Sequence, residues 1–289
     1  NDDGTVSAHG DNSRGQCNVE EWRDITDIFA DKGFTVGVTA DGKIMATHEA
    51  KTAPQQKAPA SSASVPTKAG QMYDQTEKPV TGVYNDFEYV ITGGKASITK
   101  YKGNAETVVI PEVIGGIPVR SIGKKAFYEN NKISYLILSQ NLREIGEEAF
   151  GWCVMLSKIE MPYGVETIGK NAFKSCDIEE LILPESVKTI GDSAFYDNAS
   201  LRKIVMPYGV ETIGKNAFFY CDIEELILPE SVKTIGDAAF RFNLNLRKLV
   251  IPDSVETIGH SAFPSAVRSQ TEISVETKKR LKNYDYLFL

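Results

Sequence analysis

Apolar and polar positions in the second half of the chain recur on a fixed period. Between residues 122 and 263 the pattern Ile-Gly-x-x-Ala-Phe occurs seven times, starting at Ile122, Ile145, Ile168, Ile190, Ile213, Ile235 and Ile258, with spacings of 23, 23, 22, 23, 22 and 23 residues. Within each period a run such as Leu156-x-x-Ile159-x-Met161 alternates like a short strand, and Pro162 ends its ladder bonding. A turn then leads to Val165-x-x-Ile168-Gly169, a second short extended piece. Ala172 and Phe173 follow in a helical or 3₁₀ turn, with Phe173 as the large interior side chain. Ile178, Leu181, Leu183, Val187, Ile190, Ala194 and Phe195 take the same roles one period later. A repeat of this length leaves its apolar edge uncovered alone and buries it by stacking, so the pattern predicts a repeat solenoid of short parallel strands and 3₁₀ or helical turns. Seven turns spaced at about 4.8 Å give a body about 34 Å long.

The Gly after each Ile takes a positive φ or allows close backbone approach, since no other residue stands there in seven copies. Met161–Val205 is followed at once by Met206–Val250, and 37 of the 45 positions are identical. A quasi-one-dimensional stack accepts such an insertion of two turns, whereas a single-core enzyme does not.

Outside the repeats the composition changes twice. Residues 1–50 are turn-rich and carry 10 acidic and 4 basic side chains. Residues 51–71 contain three Pro, no acidic residue and no aromatic, a composition that buries too little apolar area to order itself. The predicted organisation is a small β-rich segment over 1–50, a Pro/Ala/Ser-rich linker over 51–76, a solenoid over 77–265 and a C-terminal cap over 266–289. Phe87–Ile91 and Ala96–Tyr101 around Gly93-Gly94 read as an opening hairpin. Ser274–Lys282 reads as a capping helix with Ser274 as N-cap, and Tyr284, Tyr286 and Phe288 pack on the last turn.

The repeat Leu-x-x-Leu-x-Leu-Pro-x-x-Val-x-x-Ile-Gly-x-x-Ala-Phe-x-x-Cys resembles the BspA-type leucine-rich repeat of bacterial surface proteins over about residues 80–289. That resemblance implies a right-handed leucine-rich-repeat solenoid, display outside the cell, and adhesion or protein binding rather than catalysis. A second resemblance lies at the start of the chain. Gly10, Asn12, Gly15, Gln16 and the Asp41-Gly42 turn are similar to one repeat of the regulator-of-chromosome-condensation propeller. Phe34-Thr35 and His48 depart from its pattern, and one repeat does not make a propeller.

Charge and candidate chemistry narrow the function. The net charge is −7, but residues 79–289 hold 27 acidic and 24 basic side chains, a balance unsuited to neutralising a nucleic-acid backbone. No apolar run is long enough to span a bilayer. The chain starts at Asn1 without Met or a signal peptide and reads as a mature or trimmed form. Cys153, Cys176 and Cys221 each lie three residues after a repeat Phe, where Asn130, Asn198 and Asn243 stand in other periods, so they read as interior ladder residues. Cys17 stands alone, and His9, His48 and His260 are scattered. No catalytic residue, metal site or cofactor is expected from these positions.

The strand positions carry the remaining signal. Ser157-Lys158, Glu179-Glu180, Arg202-Lys203, Glu224-Glu225 and Arg247-Lys248 alternate in sign along the stack, as do Glu166, Lys188, Glu211, Lys233 and Glu256. Opposite charges on neighbouring strands favour that register. Period-two alternation turns Ile137, Glu160, Ile182, Val205, Ile227 and Val250 outward as a largely apolar stripe. Ile137, Ile182, Val205, Ile227 and Val250, with Tyr163 and Tyr208 at equivalent turns, are the candidate partner-binding residues. The expected function is non-enzymatic adhesion at the cell surface or in secreted form, to a protein or glycan, with self-association also open. An architectural spacer is the alternative.

Overall fold

The computed structural model describes Arg23, the strands at 25–31, 34–39 and 44–46, and residues 78–272, 274–280 and 287–288. The chain divides into two compact units, 1–64 and 65–289. In the first, Ile25–Asp31, Phe34–Thr39 and Ile44–Ala46 form a three-stranded antiparallel sheet. Gly10, Asn12, Gly15, Gln16 and the Asp41-Gly42 turn lie outside the described residues, as does the 51–76 linker.

The second unit is a solenoid built from the repeat, and each turn of it is called a rung below. The Thr-Ile pairs 167–168, 189–190, 212–213, 234–235 and 257–258 form one continuous parallel ladder. Through Glu144–Ile145 and Ile117–Ile122 this ladder runs back into an antiparallel meander, Val80–Tyr84, Phe87–Thr92 and Lys95–Tyr101. Gly93 and Gly94 both take positive φ, 55° and 71°, as a two-residue hairpin turn of this hand requires. Val80–Tyr84 and the short pairing of Val113–Ile114 with Ile117–Ile122 extend the predicted hairpin.

The second strand column, on the Leu-x-Leu positions, is not continuous. It consists of three parallel ribbons: Thr107–Val109 with Tyr135–Ile137 and Lys158–Glu160; Glu180–Ile182 with Lys203–Val205; and Glu225–Ile227 with Lys248–Val250 and Thr271–Glu272. Both breaks fall where the spacing drops to 22 residues, Ile159 to Leu181 and Ile204 to Leu226. The missing residue is lost between the repeat Phe and the strand, so the strand cannot meet its neighbour in full register.

Behind the strands the repeat Phe rings form a spine. Phe150, Phe173, Phe195, Phe218 and Phe240 stack at centroid distances of 5.1–5.3 Å, with interplanar angles of 2–8°. Tyr101 begins the spine against Phe127, and Phe263 hands it to Phe288 at 5.9 Å, so Phe288 packs on the last rung. The Ala-Phe segment is a chain of turns rather than a helix. Alternate amides bond locally, as Gly151 N to Glu148 O at 3.1 Å, and the others bond the next rung, as Phe150 N to Ala172 O at 2.8 Å. The backbone of this segment is thereby bonded within and between rungs without regular secondary structure.

The invariant Gly resolves in favour of close approach. None of the seven lies among the positive-φ glycines, yet a Cβ at Gly146 would meet Ile122 O at 2.7 Å, and one at Gly214 would meet Asp192 N at 2.5 Å. Rung backbones press together there, and any side chain would hold them apart. At the C-terminus the helix spans Val275–Arg280, with Ser274 Oγ accepting from Thr277 N at 3.0 Å as an N-cap. Tyr284 and Tyr286 lie outside the described residues.

Candidate functional site

Cys153, Cys176 and Cys221 are buried and unpaired by disulfides, as their ladder positions require. Cys153 Sγ bonds Phe127 O at 3.1 Å, Cys176 Sγ bonds Phe150 O at 3.2 Å, and Cys221 Sγ bonds Phe195 O at 3.3 Å. In two intervening periods an amide replaces the thiol: Asn198 Nδ2 donates to Phe173 O, and Asn243 Nδ2 to Phe218 O, each at 2.8 Å. The two side chains do one job, tying a rung to the carbonyl of an earlier Phe. Burial pushes the thiols of Cys153 and Cys221 up to about 12, so they are protonated and unreactive at neutral pH. Among the described residues no group of His, Cys, Asp or Glu forms a metal-binding cluster. Nor is any described helix long and apolar enough to cross a membrane.

On the strand face the structure places most of the stripe as expected. Ile182, Val205 and Ile227 are 58%, 40% and 56% exposed, whereas Ile137 and Val250 are half-buried. The inward partners Leu181, Leu226 and Leu249 are fully or almost fully buried, so alternation holds on the Leu-x-Leu strands. The ribbon breaks divide the stripe into two pairs, Ile182–Val205 and Ile227–Val250, each register-paired within its own ribbon. Glu160 interrupts the column below them; its carboxylate meets the Tyr135 hydroxyl and lies 3.5 Å from Lys158.

The alternating charges pair within ribbons. Lys203 bonds Glu180, and Arg247 reaches Glu224 at 2.9 Å and Glu225 at 3.4 Å. Across the second break Arg202 turns to Asp222 at 3.4 Å, a partner absent from the expected column. The second column pairs Arg143 with Glu166 at 3.7 Å and Lys188 with Glu211 at 4.0 Å. These are exposed pairs that set register and contribute little stability. Tyr163 and Tyr208 project into solvent from Pro-Tyr-Gly turns at about 70% exposure. Their following glycines, at φ 138° and 150°, donate to Ser186 Oγ and Ser231 Oγ of the next rung.

A second exposed surface escaped the strand-based reading. The two residues after each repeat Phe line a turn edge, and there Trp152, Tyr220 and Phe242 are exposed, with Val154, Met155 and Leu244 nearby. Tyr196 and Phe219 stack on this edge at 5.0 Å and 3°. The available signal lay in the duplication. Of its eight differing positions, six fall on this stretch: 174, 175, 196, 197, 199 and 200 against 219, 220, 241, 242, 244 and 245. Four of them exchange Lys, Ser, Asp or Ala for Phe, Tyr, Phe or Leu.

Comparison with known proteins agrees with this architecture. The description "BspA type Leucine rich repeat region" matches residues 120–247 and 233–286 in six copies. A crystal structure of a leucine-rich repeat protein from T. pallidum is similar at 30% identity and a TM-score of 0.63, over 72% of this chain and 97% of that one. The pneumococcal vaccine antigen PcpA shares the fold at 22% identity and a TM-score of 0.53, over 62% of this chain and 51% of that one. No curated protein sequence matches significantly. With its repeat grammar, ring spine and parallel rungs, the chain belongs to the BspA-type leucine-rich repeat family.

Proposed function

We propose that this chain is a non-enzymatic binding module, displayed at the cell surface or secreted, that attaches to an extracellular protein or glycan through the strand face of its solenoid. The observation that carries the reading is the exposed stripe of Ile182, Val205 and Ile227. β-Branched residues turned outward from a parallel ribbon leave apolar area in water that a partner would cover. Val250 continues the stripe at one end, Ile137 lies beyond the Glu160 interruption, and Tyr163 and Tyr208 supply amphipathic rings from neighbouring turns. The flanking Glu, Lys and Arg side chains are already paired with one another, so contact rests on shape and apolar burial. Membership of the BspA-type family, whose repeats resemble those of bacterial surface proteins, supports the location and the adhesive role.

The test is a solid-phase assay on a panel of immobilised extracellular-matrix proteins and mucins. The double variant Val205→Lys, Ile227→Lys keeps the fold, because neither side chain packs inward, and loses attachment at least about tenfold, or about 1.4 kcal/mol. Binding of the unaltered protein changes only weakly between low and physiological salt. Normal attachment by a fully folded double variant places the binding surface elsewhere. If the unaltered chain binds nothing on such a panel, the architectural-spacer reading takes its place.

A further inference from the structure

The turns that follow the Leu-x-Leu strands carry a regular column of their own. The second residue after each strand segment reads Gln140, Tyr163, Glu185, Tyr208, Glu230 and Asp253 in successive rungs, so phenol and carboxylate alternate over the middle four. All four of these are exposed, the two rings at 71% and 70%. The turns beneath them are in direct contact. Gly164 N donates to Ser186 Oγ at 2.9 Å, Gly209 N donates to Ser231 Oγ at 3.0 Å, and a Cβ on Gly209 would meet Glu185 O at 2.1 Å. The four side chains therefore rise from a bonded backbone, one per rung, at fixed spacing.

The polar groups of this column are left free by the fold. Elsewhere on the stack charges pair between rungs, as Lys188 with Glu211 at 4.0 Å and Arg247 with Glu224 at 2.9 Å. The acids at the two ends of the same column are also engaged. Glu112, one rung before Gln140, accepts from Gln140 N at 2.7 Å and Asn141 N at 3.2 Å. Asp253 accepts from the Ser274 and Thr277 hydroxyls at 2.5 and 2.6 Å. In the middle rungs Ser186 and Ser231 bond the preceding turn instead, and the carboxylates beside them are left over. Among the described residues neither the Glu185 nor the Glu230 carboxylate has an ion-pair or hydrogen-bond partner, and neither Tyr163 nor Tyr208 has a ring contact. None of the eight positions at which the duplicated copies differ lies on these turns, so the Tyr–Glu pair is presented twice.

The chemistry of the four groups selects a cation. An inorganic anion would meet two carboxylates, and an apolar surface would strip their water without replacing its hydrogen bonds. A single metal ion cannot use both, because two rungs separate their turns by about 10 Å. A guanidinium suits both kinds of group: it bonds a carboxylate through two N–H donors and stacks on a phenol face, which an ammonium does less well. In a polyproline II segment every third residue faces the same way, and a rise of about 3.1 Å per residue sets those positions about 9.3 Å apart, close to the separation of the two Glu turns. We propose that the turn column from Tyr163 to Glu230 docks an extended, arginine-bearing segment of a partner protein, one guanidinium on each Tyr–Glu pair. This docking does not rest on the strand-face stripe, and it is electrostatic where that contact is apolar.

A fluorescein-labelled peptide of four Pro-Pro-Arg repeats is the probe, titrated into the full chain and followed by anisotropy. It binds saturably, and more weakly as salt rises, because exposed charges are screened. Glu185→Gln with Glu230→Gln weakens it at least about tenfold, or about 1.4 kcal/mol. Tyr163→Ala with Tyr208→Ala does the same, whereas Tyr163→Phe with Tyr208→Phe keeps most of the affinity, since the ring face is used. All four side chains are exposed, so the melting temperature stays as it is. Glu179→Gln with Glu256→Gln removes the same charge away from the column and leaves binding unchanged. Val205→Ser with Ile227→Ser also leaves the peptide bound, which separates this surface from the strand-face proposal. The proposal is overturned by the absence of saturable binding, by full affinity without Glu185 and Glu230, or by an equal loss in the Glu179 and Glu256 control. Equal binding of a peptide in which neutral citrulline replaces each arginine overturns it as well.

Discussion

Replacing Phe195 by Ala tests how the spine holds the stack. The ring is fully buried, 5.3 Å from Phe173 and 5.2 Å from Phe218, and nearly parallel to both. A Phe side chain withdraws roughly 150–250 Å² from water, which at about 25 cal/mol/Å² bounds the loss near 4–6 kcal/mol. Ala keeps the Cβ, and real unfolded chains bury part of that area, so the bound lowers somewhat. Collapse cannot recover much of it. The rung spacing is set by Phe173 N to Ala194 O at 2.7 Å and Phe195 N to Ala217 O at 2.8 Å, so the neighbouring rings cannot close the gap without breaking backbone bonds. The expected cost is about 3–5 kcal/mol, read by urea unfolding at equilibrium. A hole in mid-stack also weakens the coupling between the two halves, so the transition broadens or splits in two. A loss under about 1 kcal/mol with an unchanged transition refutes the reasoning, because an arbitrary substitution costs as much.

Two further predictions concern the cysteines and the unit boundary. Cys153, Cys176 and Cys221 stay reduced and resist alkylation until the protein unfolds, and a native disulfide among them by mass spectrometry contradicts their ladder role. Their raised thiol pKa values have a thermodynamic consequence. The folded state favours the protonated form, so this stabilisation is complete below pH 9 and is lost as pH rises from 9 toward about 12, visible as a falling melting temperature. Residues 77–289 fold without residues 1–70, since the contact boundary lies at residue 64 and the meander from Val80 already caps the first rung. An insoluble or non-cooperative truncated chain would make the N-terminal segment part of the solenoid.

Much of the fold was legible because the repeat states each role six or seven times. Phe as spine, Cys or Asn as the inward hydrogen-bonding residue, and Ile182, Val205 and Ile227 as outward positions all follow from period and alternation. The ribbon breaks were written in the 22-residue spacings, but reading them requires knowing that the lost residue precedes the strand. The invariant Gly left two explanations open, because sequence shows that a Cβ is forbidden without showing whether φ or a neighbouring backbone forbids it. The turn edge was invisible for a different reason. Its column of Tyr128, Gly151, Lys174, Tyr196, Phe219 and Arg241 has no apolar period, since aromatic, charged and small residues succeed one another there at half-buried or buried positions. Only subtraction of one duplicated copy from the other isolates it. The expected charge ladder was right in sign but incomplete in partner, since Arg202 pairs with Asp222 across the second ribbon break.

The central claim is that rungs are interchangeable units stacked around one ring spine, each adding its own strip of surface. Deleting Met161–Val205 tests it most directly, because Glu160 then joins Met206 and the sequence across the junction, Met-Pro-Tyr-Gly-Val-Glu-Thr-Ile-Gly-Lys-Asn-Ala-Phe, is unchanged. Equilibrium urea unfolding of this variant is the measurement. A stack of rungs re-closes with 45 fewer residues, unfolds cooperatively, and shows an m-value lower by about a fifth, in proportion to the surface removed. A chain that is unfolded or aggregated after the deletion would mean that those two rungs are not units of an array but parts of a single indivisible core.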